Sequence, residues 1–193
     1  MFSLAIVYTK FVILFVIYYK IIQQVFRLFD FLFGVCYHNV KVSFMSKYRL
    51  LLVCTGNTCR SPMLETLIKA ELKSKGKECE VKSAGLRVFP EDKVNEKARK
   101  ALKKYDLVIR HKPTQLEPKA LERADSVLTM TKEQKLYLRL DKCYYKVFSL
   151  GEAVGFDIPD PYGQTQNEYD ICASALSKAS QIIVENLIKA GKI

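Results

Sequence analysis

The chain has no uninterrupted run of about twenty apolar residues, the length a helix needs to cross the hydrocarbon of a bilayer. The apolar stretch from Phe11 to Tyr19 is bracketed by Lys10 and Lys20, and Gln23, Gln24, Arg27 and Asp30 interrupt the further apolar residues up to Val35. No basic leader precedes it and no small-residue cleavage site comes after it, which argues against a secretory signal. Histidine is scarce, at two residues of 193. The six cysteines, Cys36, Cys54, Cys59, Cys79, Cys143 and Cys172, show neither the paired spacing of a zinc site nor a disulfide framework. Irregular thiols in a chain of this size fit a reduced, cytoplasmic protein. Acidic residues are also short, 20 against 31 basic ones. No run of basic residues interleaves with stacking aromatics, so the excess does not read as a nucleic-acid site. No internal repeat or low-complexity tract is present, which excludes a solenoid.

The residues present are enough for one sizeable core, with 49% of them hydrophobic. Residues 1–44 differ in character from residues 45–193, which carry +8 of the net charge of +11. Such a basic surface attracts acidic partners. Three readings of 1–44 stand open: a membrane anchor, an amphipathic interfacial helix, or translation from an upstream start with Met45 as the real beginning. None alters the chemistry downstream.

From Tyr48 onward, apolar strand-like runs alternate with helical patterns, the signature of parallel strands joined by crossover helices. Strands are predicted near Tyr48–Val53, Glu80–Ser83, Ser126–Met130 and Tyr145–Ser149. Helices are predicted from Ser61 (Leu64, Leu67, Ile68 and Leu72 inward), across Val94 to Tyr105, from a Thr131 cap through Leu138, and from about Cys172 to a stop by Gly191. The expected fold is α/β: a doubly wound, four-stranded parallel sheet with helices on both faces. Ligands bind such sheets beyond the carboxyl ends of the strands.

The stretch Cys54-Thr55-Gly56-Asn57-Thr58-Cys59-Arg60-Ser61-Pro62 lies where that rule puts a site. It succeeds the apolar run Leu50-Leu51-Leu52-Val53 and opens a helix. Backbone amides of a tight loop and the free N–H groups of a helix start attract an anion. Gly56 and Asn57 tolerate the required backbone angles, and Pro62 suits a first helical turn. A guanidinium at Arg60 can grip two oxygens of a phosphate, and the same positive surroundings favour a nucleophilic thiolate at Cys54, with the Ser61 hydroxyl donating to the sulfur. A structural cysteine, or a metal held by Cys54 and Cys59, are the plainer alternatives.

At these residues the chain resembles the low-molecular-weight protein-tyrosine phosphatase family. Ser83-Ala84-Gly85, Ala124 through Met130, and Asp160-Pro161-Tyr162 extend the likeness over about three quarters of the chain. The resemblance implies a phosphate-binding loop after the first strand, with Thr55, Gly56, Asn57, Thr58, Cys59 and Ser61 around the phosphate. It makes Cys54 the nucleophile, Arg60 the charge stabiliser and Asp160 the general acid, with Asp157 as fallback. Asn57, Ser61, Ser83 and His111 match a supporting network, with His111 outside catalysis. Reversible pairing of Cys54 with Cys59 is also implied. No metal or organic cofactor is required, and the partners are phosphorylated proteins, with membrane association only through 1–44. Tyr162 could supply an aromatic wall favouring phosphotyrosine. Thr58, and Ala124–Met130 followed by Thr131-Lys132, are instead similar to the bacterial branch acting on phosphoarginine, where a hydroxyl suits a polar guanidinium. The competing readings are arsenate reductase, which needs further cysteines to relay a disulfide, and a non-catalytic, membrane-tethered phosphate-binding module.

Overall fold

The computed structural model describes residues 47–139 and 142–193. The expectations for residues 1–44 lie outside the described residues. Among the described residues, no helix is long and apolar enough to cross a membrane.

The strands are β1 (Arg49–Cys54), β2 (Glu80–Gly85), β3 (Ser126–Thr129) and β4 (Val147–Ser149). They form one parallel sheet in the order β2-β1-β3-β4. Central β1 is apolar along its length because it is covered twice. Leu50, Leu52 and Cys54 enter one core, and Leu51 and Val53 enter the other, the period-2 alternation of a strand. Six helices fill the connections: α1 (Arg60–Ser74), α2 (Glu96–Lys103), α3 (Pro118–Arg123), α4 (Lys132–Tyr137), α5 (Leu150–Val154) and α6 (Gln166–Lys189). Buried residues of α1, α2, α5 and α6 form the first core; Leu121 of α3 and Leu138 after α4 line the second. Helices therefore cover both faces, and the connections from β1 diverge between β1 and β3, where a ligand crevice opens.

Several boundaries differ from the sequence reading. The second helix excludes Val94 and Tyr105, because Asn95 caps its start by accepting from the Lys97 N–H and Asp106 turns left-handed (φ 56°) just past its end. Tyr145 belongs to a 3-10 turn, Tyr144–Lys146, rather than to the last strand. The buried Lys146 ammonium pins that turn by donating to the Glu122 and Ala124 carbonyls. The short helices α3 and α5 show no apolar period in the sequence; Pro118 opens the first, and a Ser149–Glu152 capping box opens the second. The Thr131 cap is present, as a capping box closed by Gln134.

Candidate active site

Cys54 is the last residue of β1 and pairs with Gly85, the last of β2. The chain then curls through Thr55–Cys59 and enters α1 at Arg60. No side chain caps α1, so the amides of its first turn remain available to an anion. Asn57 makes the bend, at φ 55°, in the left-handed region that asparagine tolerates. The bend brings the Asn57 N–H to 3.1 Å from Cys54 Sγ, and Ser61 Oγ lies 2.8 Å from the same sulfur.

A buried network fixes this shape. The Asn57 side chain is fully buried, and its Nδ2 donates to Ser61 Oγ and Ser83 Oγ, each at 2.9 Å. Its Oδ1 accepts from the Thr114 N–H at 2.9 Å and faces His111 Nε2 at 2.7 Å. Thr114 N can only donate, so Oδ1 is an acceptor and His111 carries its proton on Nε2. Ser83 Oγ donates in turn to Glu65 Oε2 at 2.6 Å, and Lys69 pairs with Glu65 on the helix surface. Burial pushes His111 below the ordinary imidazole value, with Glu65 opposing and Lys69 adding to the shift. His111 thus braces the Asn57 side chain. Sequence reasoning foresaw Asn57, Ser61, Ser83 and His111 together, and the structure joins them. It missed Glu65 and Thr114, for which no local pattern exists.

Gln134 was also missed. Its Nε2 donates to Thr55 Oγ1 at 3.0 Å while its Oε1 accepts from the Met130 and Thr131 N–H groups. The Thr131-x-x-Gln134 spacing of a capping box was the signal available.

Arg60 is buried, and its guanidinium forms an ion pair with Asp160. Asp160 Oδ1 also accepts from the Tyr162 N–H at 3.1 Å. The Asp-Pro loop is only partly exposed: Pro159, Asp160 and Tyr162 face solvent, whereas Ile158 and Pro161 are buried and anchor it. The fallback, Asp157, lies against Gly151 at the start of α5 and does not line the crevice. The crevice, of about 380 Å3, is lined by Cys54, Thr58, Arg60, Asp160 and Tyr162 together with Arg87, Phe89 and Asp92, which sequence reasoning did not single out. Those three come from the β2–α2 segment, clamped to the loop by Leu86 N–H to Cys54 O and Arg87 N–H to Thr55 O, both 2.9 Å.

The surroundings expected to favour a Cys54 thiolate are present, but burial opposes them. Burial pushes the thiol up and outweighs the Ser61 hydroxyl, the Asn57 and Ser61 amides and Arg60, all of which pull it down.

Among the described residues, no two thiols are bridged. Cys59 is unbridged, and its sulfur lies 3.3 Å from the Tyr169 hydroxyl. Cys79 precedes β2, at the opposite end of the sheet from Cys54, roughly 20 Å along the strands. Cys143 is buried in the core on the other face.

Comparison with known proteins agrees with this geometry. The family model described as low molecular weight phosphotyrosine protein phosphatase matches residues 49–192. A protein-arginine-phosphatase of Bacillus subtilis (strain 168) is 36% identical over 67% of this chain and 94% of its own. The crystal structure of a low molecular weight protein tyrosine phosphatase from T. tengcongensis superposes with TM-score 0.69 at 37% identity, covering 73% of this chain and 100% of that one. A YwlE arginine phosphatase, a cysteine-to-serine mutant with phosphorylated active site serine, superposes with TM-score 0.70 at 32% identity, covering 73% of this chain and 96% of that one. With the family model matched over residues 49–192, the chain belongs to the low molecular weight phosphotyrosine protein phosphatase family of cysteine-dependent protein phosphatases.

Proposed function

We propose that this protein hydrolyses phosphoarginine residues in phosphoproteins, with Cys54 as nucleophile, Arg60 as charge stabiliser and Asp160 as general acid and base. The observation that carries the reading is one crevice lined by the Cys54 sulfur, which meets the Asn57 N–H and the Ser61 hydroxyl, and by the Arg60–Asp160 pair. The Cys54 thiol passes its proton to an oxygen of the bound phosphate dianion, and the resulting thiolate attacks phosphorus in line. The S–P bond forms as the P–N bond breaks, and the proton of Asp160 goes to the leaving nitrogen. Arg60 and the loop amides hold the charge on the equatorial oxygens. Water then attacks the phosphocysteine, Asp160 takes its proton, and the S–P bond breaks to return the sulfur and release phosphate. Thr55, Gly56, Asn57, Thr58, Cys59 and Ser61 cup the phosphate, with Ser83 and His111 behind them and Tyr162 at the rim.

The Thr58 hydroxyl at the crevice wall supports a guanidinium substrate over an aryl one. The relatives include proteins named for either activity. The free thiols among the described residues suit a reducing compartment. Purified protein assayed on phosphoarginine and phosphotyrosine peptides, with Cys54→Ser as the blank, tests this. The wild type is expected to favour phosphoarginine, and the variant to lose ~10^4-fold or more in rate. Equal rates from the two proteins would reject the nucleophile; a wild type active only on phosphotyrosine would reject the substrate.

A further inference from the structure

The crevice holds a second carboxylate that the mechanism leaves unused. Asp92 lines it together with Cys54, Thr58 and Asp160. One of its oxygens, Oδ2, accepts from the Phe89 N–H at 2.8 Å. Its other oxygen takes no protein hydrogen bond, and the side chain has no ion-pair partner, among the described residues. Arg87, which also lines the crevice, is not paired with it but lies over the Phe89 ring, 5.1 Å from its centroid. The segment is not a loose flap either. The Leu86 and Arg87 amides bond to the Cys54 and Thr55 carbonyls, and the Val88 N–H donates to Gln115 Oε1.

We propose that Asp92 is a specificity-determining residue that receives the N–H groups of a phosphorylated guanidinium. The inference rests on the phosphoarginine reading above and deepens it. A phosphoryl group on one terminal nitrogen leaves the other terminal nitrogen and Nε as donors. They must be satisfied once the group enters the crevice and sheds its water. Arg60 is committed to the phosphate and Asp160 to the leaving nitrogen. Thr58 offers one hydroxyl. Asp92 supplies the remaining acceptor, with a charge that complements a guanidinium. A phosphotyrosine ring brings no donor to this wall, so it would strip water from the carboxylate with nothing in return.

The test compares Asp92→Asn and Asp92→Ala with wild type on a phosphoarginine peptide and on a phosphotyrosine peptide. Asn keeps an oxygen for the Phe89 N–H; Ala does not. The expected result is a fall of about tenfold or more in kcat/KM on phosphoarginine for both variants, carried by KM. On phosphotyrosine, the Asn variant should match or exceed wild type. If Asp92 only shapes its turn, Asn will behave as wild type on both substrates and Ala will fall equally on both, which overturns the proposal. A wild type that turns over phosphoarginine while Asp92→Asn is unaffected sinks the Asp92 assignment alone. A wild type inert toward phosphoarginine sinks the substrate reading and this inference with it.

Discussion

Arg60 and Asp160 stand 100 residues apart in the chain and form an ion pair across the mouth of the crevice. The pair joins the first turn of α1 to the Asp-Pro loop, so the cation meant for phosphate is held by the carboxylate meant for the leaving group. Binding of a phosphate dianion must exchange one partner for the other. Asp160→Asn should therefore do two things. It should lower kcat by about 10^2–10^4-fold on phosphopeptides, the range for loss of a general acid. It should also tighten inhibition by inorganic phosphate, because Arg60 is released from its internal partner. Steady-state kinetics with phosphate as competitor checks both, and unchanged phosphate inhibition would show that the pair does not compete with substrate.

Gly85 sets how closely β2 approaches the loop. A Cβ there would sit 2.5 Å from Val88 Cγ2, 2.8 Å from the Thr55 carbonyl oxygen and 3.1 Å from Asn57 Cβ. Two of those three neighbours belong to the phosphate loop. Gly85→Ala should push the loop off its geometry and reduce kcat/KM by ~10^2-fold, since small misplacements cost that much. Assay beside urea unfolding separates loop displacement from global loss of stability.

Thr58 is the residue at which the two substrate classes are expected to diverge. Thr58→Ile replaces the hydroxyl with an apolar branch and should shift preference toward phosphotyrosine by at least tenfold in the ratio of kcat/KM values. An unchanged ratio would remove the argument from this side chain.

Two thiols make stability depend on alkaline pH. Burial pushes Cys172 up to about 12 and Cys79 up to about 11, from 9.0. Below about pH 9, folded and unfolded chains both hold these protons and stability is at its full value. Above it the unfolded chain releases them first, so stability falls until the pH passes the folded values. Cys172 contributes at most about 1.4 kcal/mol per pH unit to that fall. Urea unfolding at several alkaline pH values, under reducing conditions, should show a shallower decline for Cys172→Ala.

Much of this was legible in the residues. The strand leading to Cys54, the Thr131 cap and the last helix came from local pattern, because strands and helices carry apolar runs or periods whatever surrounds them. The boundaries of α2 and β4 were not, since Asp106 and the buried Lys146 end or shift those elements through their own backbone angle and distant carbonyls. Glu65, Thr114, Arg87, Phe89 and Asp92 were invisible for the same reason: each reaches the site from an element whose placement depends on the sheet.

The sequence by itself determined the family and the phosphate loop with its sulfur and guanidinium, because those are written in contiguous residues whose spacing forms an anion cradle, while Asp160 entered through the family resemblance of its Asp-Pro motif. Only the tertiary structure decided which partners those groups keep. It commits the Arg60 charge to Asp160, raises rather than lowers the Cys54 thiol, and brings Asp92 to the wall, since burial and pairing arise only when segments far apart in the chain are pressed together.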